Sequence, residues 1–318
     1  MKLYLVIPCY NEQEVLEETA KRTSEKLRAL AECGKISADS KVCFVDDGSK
    51  DSTWNIIDRL CSEDKIFCGI KLSRNRGHQN ALLAGLMSVK EHCDAAISLD
   101  ADLQDDIDAI DLMIEKYNEG CDVVYGVRSS RKNDKLFKRA TARGFYKMMR
   151  FMGVELVYDH ADYRLMSKKA LDELEGFKEV NLFLRGLVPL IGFKSATVEY
   201  ERSPRFAGKS KYPLRRMLSF AFEGVTSMSI KPIRMISILG FFIFLTSIGM
   251  LFYSLIQHFS GNTIEGWTSI AVSVWAIGGL QLLAIGVIGE YIGKIYLETK
   301  QRPKYIIDLT ENLENNGD

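Results

Sequence analysis

Ile97-Ser98-Leu99-Asp100-Ala101-Asp102-Leu103-Gln104 sets a short apolar run directly before two carboxylates one residue apart. The run reads as a strand that delivers acids to a cleft. In an extended segment residues i and i+2 point to the same side, so Asp100 and Asp102 would converge while Ala101 faces away. Two converging carboxylates repel unless a cation sits between them. A hard divalent ion such as Mg²⁺, which prefers oxygen ligands and keeps phosphate oxygens in its shell, suits such a place. A strand end with two solvated acids has the same spacing, so the neighbouring stretches must decide.

Working outward, residues 1–126 alternate short apolar runs with longer helix-patterned segments. LYLVI precedes 12–32, VCFV precedes 51–62, FCGIKL precedes 77–90, AAISL precedes 106–118, and DVVYGV follows. That rhythm predicts an α/β domain with a mostly parallel sheet. Such sheets bind ligands beyond the carboxyl ends of their strands. Those ends are Pro8-Cys9-Tyr10-Asn11-Glu12, Asp46-Asp47-Gly48-Ser49, Ser73 to His78, Asp100-Ala101-Asp102 and Gly126-Val127-Arg128, all of them polar. No GxGxxG follows the first run and no GxxxxGK[ST] occurs, which argues against a dinucleotide dehydrogenase and a P-loop NTPase.

The chain has 318 residues with 42 basic and 42 acidic side chains, so no net charge points to nucleic acid as a partner. Residues 235–256 and 266–289 carry no charge, and each exceeds the roughly 20 residues that cross a bilayer core. Two membrane-spanning helices are therefore expected. Lys231 and Arg234 precede the first, Lys294, Lys300, Arg302 and Lys304 follow the second, and the loop 257–265 has no Lys or Arg. The positive-inside rule puts both ends in the cytoplasm. Met1-Lys2 leads straight into a run of strand length, so the first domain is expected to begin in the cytosol. Seven scattered cysteines fit reduced thiols, and no CxxC pair or His cluster suggests zinc.

Residues 213–229 place Leu214, Met217, Leu218, Ala221, Val225 and Met228 on one helical stripe. This predicts a helix lying on the bilayer, with an ordinary amphipathic helix on the domain's own core as the alternative. Gly286, Gly289 and Gly293 give the second span a small-residue face, suited to packing of the two spans or to a homo-oligomer. The expected division is 1–212 cytoplasmic α/β domain, 213–232 interfacial helix, 233–293 two-span region and 294–318 cytoplasmic tail, with a disordered acidic and Asn-rich end after Lys304.

VIPCYNE at 6–12, VDDGSKDST at 45–53, SRNRGHQNALLAGL at 73–86, SLDADLQD at 98–105 and YGVRSSR at 125–131 resemble the family 2 glycosyltransferases of GT-A fold, the nucleotide-diphospho-sugar transferases. Order and spacing agree together. DYRLMSKKAL at 162–171 and RFAGKSKY at 205–212 resemble the polyprenyl-phosphate glycosyltransferase and dolichol-phosphate mannose synthase subgroup.

The resemblance implies an inverting, metal-dependent enzyme at the cytoplasmic face of the inner (plasma) membrane, moving one hexose from a nucleoside diphosphate sugar to a polyprenyl phosphate. It implies Pro8, Tyr10, Glu12, Asp46 and Asp100 for the donor nucleotide, and Asp100, Asp102 and Gln104 for Mg²⁺ or Mn²⁺. It further implies Arg128, Arg131, Arg164, Arg205 and Lys211 for the acceptor phosphate, and Asp162, Arg128 and Asp102 for the chemistry. Asp162 is expected to orient the acceptor more than to take a proton, with Asp159 as its rival. For His78 a loop role and a catalytic role are both open, and for Gly48 turn freedom alone is expected.

Two other readings remain. A processive polysaccharide synthase would carry a Gln-x-x-Arg-Trp motif, and none of Trp54, Trp267 and Trp275 stands in one. A non-catalytic sugar-nucleotide-binding scaffold would have no need of intact Asp100, Asp102 and Arg128.

Overall fold

The computed structural model describes residues 1–128, 160–180, 183–201, 231–260 and 266–313. They fall into two units. The first holds the described residues up to 201 together with 302–313, and the second holds 231–260 and 266–301.

In the first unit, LYLVIPC forms β1 (Leu3–Cys9) with every residue buried, as in a strand covered on both faces. Its period of two divides the core. Leu3, Leu5 and Ile7 face one way, with Val42 and Phe44 of β2 (Lys41–Asp46). They pack against Leu16, Ala20 and Leu27 of α1 (Leu16–Glu32), Ile57 of α2 (Thr53–Glu63) and Ile110 and Met113 of α4 (Ala109–Asn118). Tyr4, Val6, Cys43 and Val45 face the other way. There they meet Leu82 and Leu86 of α3 (His78–Val89), Leu171 of α5 (Lys168–Glu175) and Leu184 of α6 (Leu184–Leu190). Each fully buried side chain of this kind contributes about 1.5–3 kcal/mol.

The other strands are β3 (Phe67–Leu72), β4 (Ala95–Ser98), β5 (Val123–Arg128), β6 (His160–Ser167), β7 (Ser195–Tyr200) and β8 (Ile307–Glu311). The sheet order is β7-β5-β6-β4-β1-β2-β3-β8. β4, β1, β2 and β3 run parallel, and β6 enters antiparallel between β4 and β5. The chain builds outward from β1 to β3 and then returns to β1's other side with β4. The carboxyl ends of β1 and β4 therefore mark the switch point where open sheets bind ligands. This is the mostly parallel α/β arrangement of the GT-A type.

One expectation fails at the carboxyl terminus. Residues 305–313 do not form a loose tail, and 314–318 lie outside the described residues. Ile307–Glu311 pairs antiparallel with β3, Asn312 Nδ2 donates to Phe67 O at 3.2 Å, and the N–H of Ser73 donates to Ile306 O at 3.0 Å. The short alternating IDLTE stretch covers the otherwise unpaired edge of β3, a long-range need that local composition does not announce.

The second unit consists of α7 (Lys231–Phe259) and α8 (Trp267–Thr299). One stretch among the described residues, Ile277–Thr299, is long and apolar enough to cross a membrane. Two such stretches are expected from the sequence; this one overlaps the second, 266–289, and among the described residues no other meets the same test. Glu290, Lys294 and Glu298 stand four residues apart, a spacing that sustains helix past the uncharged run. A Cβ added to Gly286, Gly289 or Gly293 would meet nothing within 4 Å. The predicted interfacial helix at 213–230 lies outside the described residues.

Candidate active site

The strand-end loops on the β1–β2–β3 side are stitched together by backbone donors and side-chain acceptors. Asn11, at a positive φ of 52°, donates its N–H to Ser49 Oγ at 3.0 Å and accepts the N–H of Lys50 on Oδ1 at 2.9 Å. The N–H of Glu12 donates to Thr53 Oγ1 at 3.0 Å, and Gln13 Oε1 accepts the N–H of Ser52 at 3.0 Å. Asp46 is fully buried, with both carboxylate oxygens accepting the N–H of Ser49 at 3.2 and 3.3 Å. Asp47 accepts the N–H groups of Arg76 at 2.6 Å and Gly77 at 2.9 Å, which ties the end of β2 to the loop before α3. Burial raises the pKa of both acids, outweighing these bonds.

Gly48 does more than turn. At φ 64°, its missing Cβ would lie 2.6 Å from the backbone of Arg74 and Asn75, so two loops approach as only glycine allows. Of the residues expected at the nucleotide, Pro8 is buried in β1, Tyr10 and Glu12 are half-buried, and Asp46 is enclosed.

The Asp100–Asp102 pair is not extended. β4 ends at Ser98, and residues 101–103 turn, with Leu103 at φ 54°. The turn is set by burial of Leu99, Ala101 and Leu103 and by Thr19 Oγ1 of α1 donating to Ala101 O at 2.9 Å. Asp102 Oδ1 accepts the N–H of Gln104 at 3.2 Å. Asp100, Asp102 and Gln104 are half-buried, so their oxygens reach the surface of the turn. No group of three His, Cys, Asp or Glu among the described residues is placed to hold a metal. Two hard carboxylates on one turn therefore suit an ion that takes the rest of its shell from phosphate and water, and do not suit an all-protein cage.

Asp162 lies opposite this turn because β6 is antiparallel to β4 with Ser98 beside Arg164, which carries Asp162 past the end of β4 toward Asp100. Ser98 Oγ donates to Asp162 O and to Arg164 O. The Asp162 side chain is 10% exposed and accepts from two guanidinium groups. Arg164 Nη2 donates to Oδ1 at 3.0 Å. Arg185 donates Nε to Oδ1 at 3.1 Å and Nη2 to Oδ2 at 3.0 Å, a two-point grip. His78, first residue of α3, places Nε2 3.5 Å from Asp162 Oδ2 and 3.7 Å from Asp100 Oδ1.

Burial opposes charge on Asp162, but Arg185, the His78 bond and Arg164 outweigh it and hold the carboxyl well below the usual range. Burial also opposes charge on His78, yet Asp162 and Asp100 raise its pKa. His78 is thus part of the cluster and not only a loop residue.

Arg164 departs from expectation. It is 1% exposed, holds Asp162, and donates Nη1 to Leu184 O at 3.3 Å, leaving no exposed face for a phosphate. Arg128, half-buried at the end of β5, stands beside Tyr200, and its Nε is buried without a hydrogen-bond partner among the described residues. Tyr200 donates its hydroxyl to Asp105 at 2.7 Å and meets Tyr163 edge-on at 5.2 Å between ring centres, while Tyr163 donates to Asp106 O at 2.9 Å. These tyrosines brace the loop after Asp102. Arg131, Asp159, Arg205 and Lys211 lie outside the described residues.

Sequence reading passed over Arg185. Its signal is weak, a single cation in the apolar stretch LFLRGLVPL, and its meaning depends on α6 docking against β6.

Against known proteins, residues 4–175 match glycosyl transferase family 2. The chain is 55% identical over 307 residues to a Bacillus subtilis (strain 168) protein named uncharacterized glycosyltransferase YkoT, covering 96% of this chain and 91% of that one. It is 38% identical over 316 residues to the bactoprenol glucosyl transferase of Shigella phage SfX, covering 96% and 99%. The prophage bactoprenol glucosyl transferase homolog of Escherichia coli (strain K12) is likewise 38% identical over 316 residues, covering 96% and 98%. Strand-end acids at the switch point, a carboxylate held ionised between two arginines, and relatives matched over nearly their whole length agree: the chain is a glycosyltransferase and belongs to glycosyl transferase family 2.

Proposed function

We propose that the enzyme transfers a single hexose, glucose foremost, from a nucleoside diphosphate sugar, with UDP favoured, to a polyprenyl phosphate of the undecaprenyl type, inverting the anomeric centre. The observation that carries this is the full-length similarity to bactoprenol glucosyl transferases, joined to a site whose ionisation suits phosphate chemistry. Around Asp162, two guanidinium groups offset the carboxylate, with His78 between it and Asp100.

A lipid phosphate oxygen attacks the anomeric carbon while the bond to the nucleoside diphosphate breaks. The second pKa of a phosphate monoester lies near 6, so the nucleophile is already anionic at neutral pH. A carboxylate with a depressed pKa is a poor base for it, and Asp162 orients the acceptor instead. Pro8, Tyr10, Glu12 and Asp46 belong to the base and ribose side, with Asp46 acting through the Ser49 turn it holds. Asp100 and Asp102, with Gln104 beside them, hold a Mg²⁺ or Mn²⁺ ion, which when bound neutralises charge on the leaving diphosphate. Arg128, Arg131, Arg205 and Lys211 serve the acceptor phosphate. The helices α7 and α8 both span the plasma membrane, with the catalytic unit on the cytoplasmic face, because a polyprenyl tail cannot leave the bilayer and the cleft must come to its headgroup.

Purified full-length protein incubated with undecaprenyl phosphate and labelled UDP-glucose, UDP-GlcNAc or GDP-mannose tests the reading. The expected result is lipid-extractable label that disappears with EDTA and returns with Mg²⁺ or Mn²⁺. Folded protein that labels no lipid with any donor would overturn it.

A further inference from the structure

Among the described residues Asp162 touches three side chains, and their geometry is unequal. Arg164 meets one oxygen only, a contact that leaves the carboxylate able to turn about its Cβ–Cγ bond. Arg185 meets both oxygens, and a planar guanidinium that grips both oxygens fixes the plane of the carboxylate. The base of Arg185 is itself fixed. Leu184, the residue before it, is fully buried; its N–H donates to Gln79 Oε1 at 2.9 Å, and its carbonyl accepts from Arg164. Gln79 follows His78 on α3, so one hydrogen bond sets the start of α6 against the residue that spans Asp162 and Asp100.

We propose that Arg185 is a positioning residue for glycosyl transfer: its two-point grip, anchored through Leu184 to Gln79, sets the plane in which Asp162 meets His78 and the reacting groups. The inference rests on the reading of Asp162 as the group that orients the acceptor. It assigns Arg185 no contact with substrate. Arg164 carries the burial of the charge, being 1% exposed, whereas Arg185 is 32% exposed and can be replaced without hollowing the core. Holding a carboxylate in a single orientation matters because small misplacements of a reacting partner are expensive in rate.

The test uses full-length protein with the lipid acceptor and compares wild type, Arg185→Gln, Arg185→Lys, Asp162→Asn and the double variant Asp162→Asn/Arg185→Gln. Arg185→Gln is expected to lower kcat by about a hundredfold with KM for donor and acceptor unchanged. Lysine restores charge without the two-point geometry and should recover little of the loss. In the Asp162→Asn background the Arg185 substitution should cost almost nothing further, because residues acting as a unit are not additive. Thermal midpoints of Arg185→Gln and Arg185→Lys should remain close to wild type.

A rise in acceptor KM at constant kcat, full rescue by lysine, additive losses in the double variant, or a loss that tracks unfolding would each overturn the proposal and leave the transfer reaction standing. Folded wild-type protein that transfers nothing would overturn both.

Discussion

The acids at the carboxyl end of β2 and beside the end of β4 are all buried yet end in opposite electrostatic states. Asp46 and Asp47 face backbone N–H groups of their own turn and of the loop before α3, and burial leaves their pKa raised. Asp162 faces Arg164, Arg185 and His78, and its pKa is well below normal. Burial penalises charge in both places, and what decides the outcome is whether full opposite charges stand within hydrogen-bonding distance. The first pair therefore works as loop stitching, and the second acid keeps a permanent charge in the cleft.

The strongest way to break this contrast is Arg164→Met. Removing one partner of a buried ion pair leaves the other poorly compensated, so urea denaturation should show a loss of about 3–5 kcal/mol. A near-neutral result would mean that Asp162 is not held by its ion pairs. Gly48→Ala probes the stitched side. The left-handed backbone and the 2.6 Å approach to Arg74 and Asn75 should together cost about 2–4 kcal/mol in the same assay, with a raised donor KM as the loop 73–77 moves. A stable variant with unchanged KM would remove that loop from the donor side.

Asp47→Asn should be milder, about 1 kcal/mol, since an acid whose pKa burial already raises loses little by becoming neutral, and one amide oxygen still accepts from Arg76 or Gly77. Faster amide exchange at Arg76 and Gly77 is the measurement. A loss as large as that of Arg164→Met would erase the distinction between the two sides.

The smallest effect is in pH dependence. Asp162, with its depressed folded pKa, contributes stability that is present above the unfolded value of about 3.9 and is lost as pH falls through the folded value. Asp46 and Asp47 have the opposite sign, so their share falls as pH rises from about 4 through their raised values. Urea midpoints of wild type and Asp162→Asn between pH 3 and 7 should therefore converge on the acid side. Parallel curves would show that Asp162 is not the acid-sensitive group.

Much of the site was legible because strand ends in a parallel sheet announce themselves. Apolar runs of strand length stop at polar residues, and the switch point follows from the order of strands. Thus Pro8, Tyr10, Glu12, Asp46, Asp100 and Asp102 all fall at or beside predicted ends, at the carboxyl side of β1, β2 and β4. The geometry of the Asp100–Asp102 turn was not legible, since spacing i, i+2 implies extension, and it is burial of Leu99, Ala101 and Leu103 that bends the chain. The burial of Arg164, expected by resemblance at the acceptor phosphate, was not legible because sequence does not distinguish a guanidinium facing a ligand from one buried against a carboxylate two residues away.

Sequence by itself determined the α/β rhythm, the family motifs and the two uncharged runs, because each rests on local periodicity or on a contiguous pattern. Tertiary structure alone decided that β6 runs antiparallel beside β4 and brings Asp162 to His78 and Asp100, that α6 docks to present Arg185, and that residues 307–311 close the far edge of the sheet. These are contacts between residues distant along the chain. Their energies come from burial, hydrogen bonding and charge pairing, which exist only once the elements are packed.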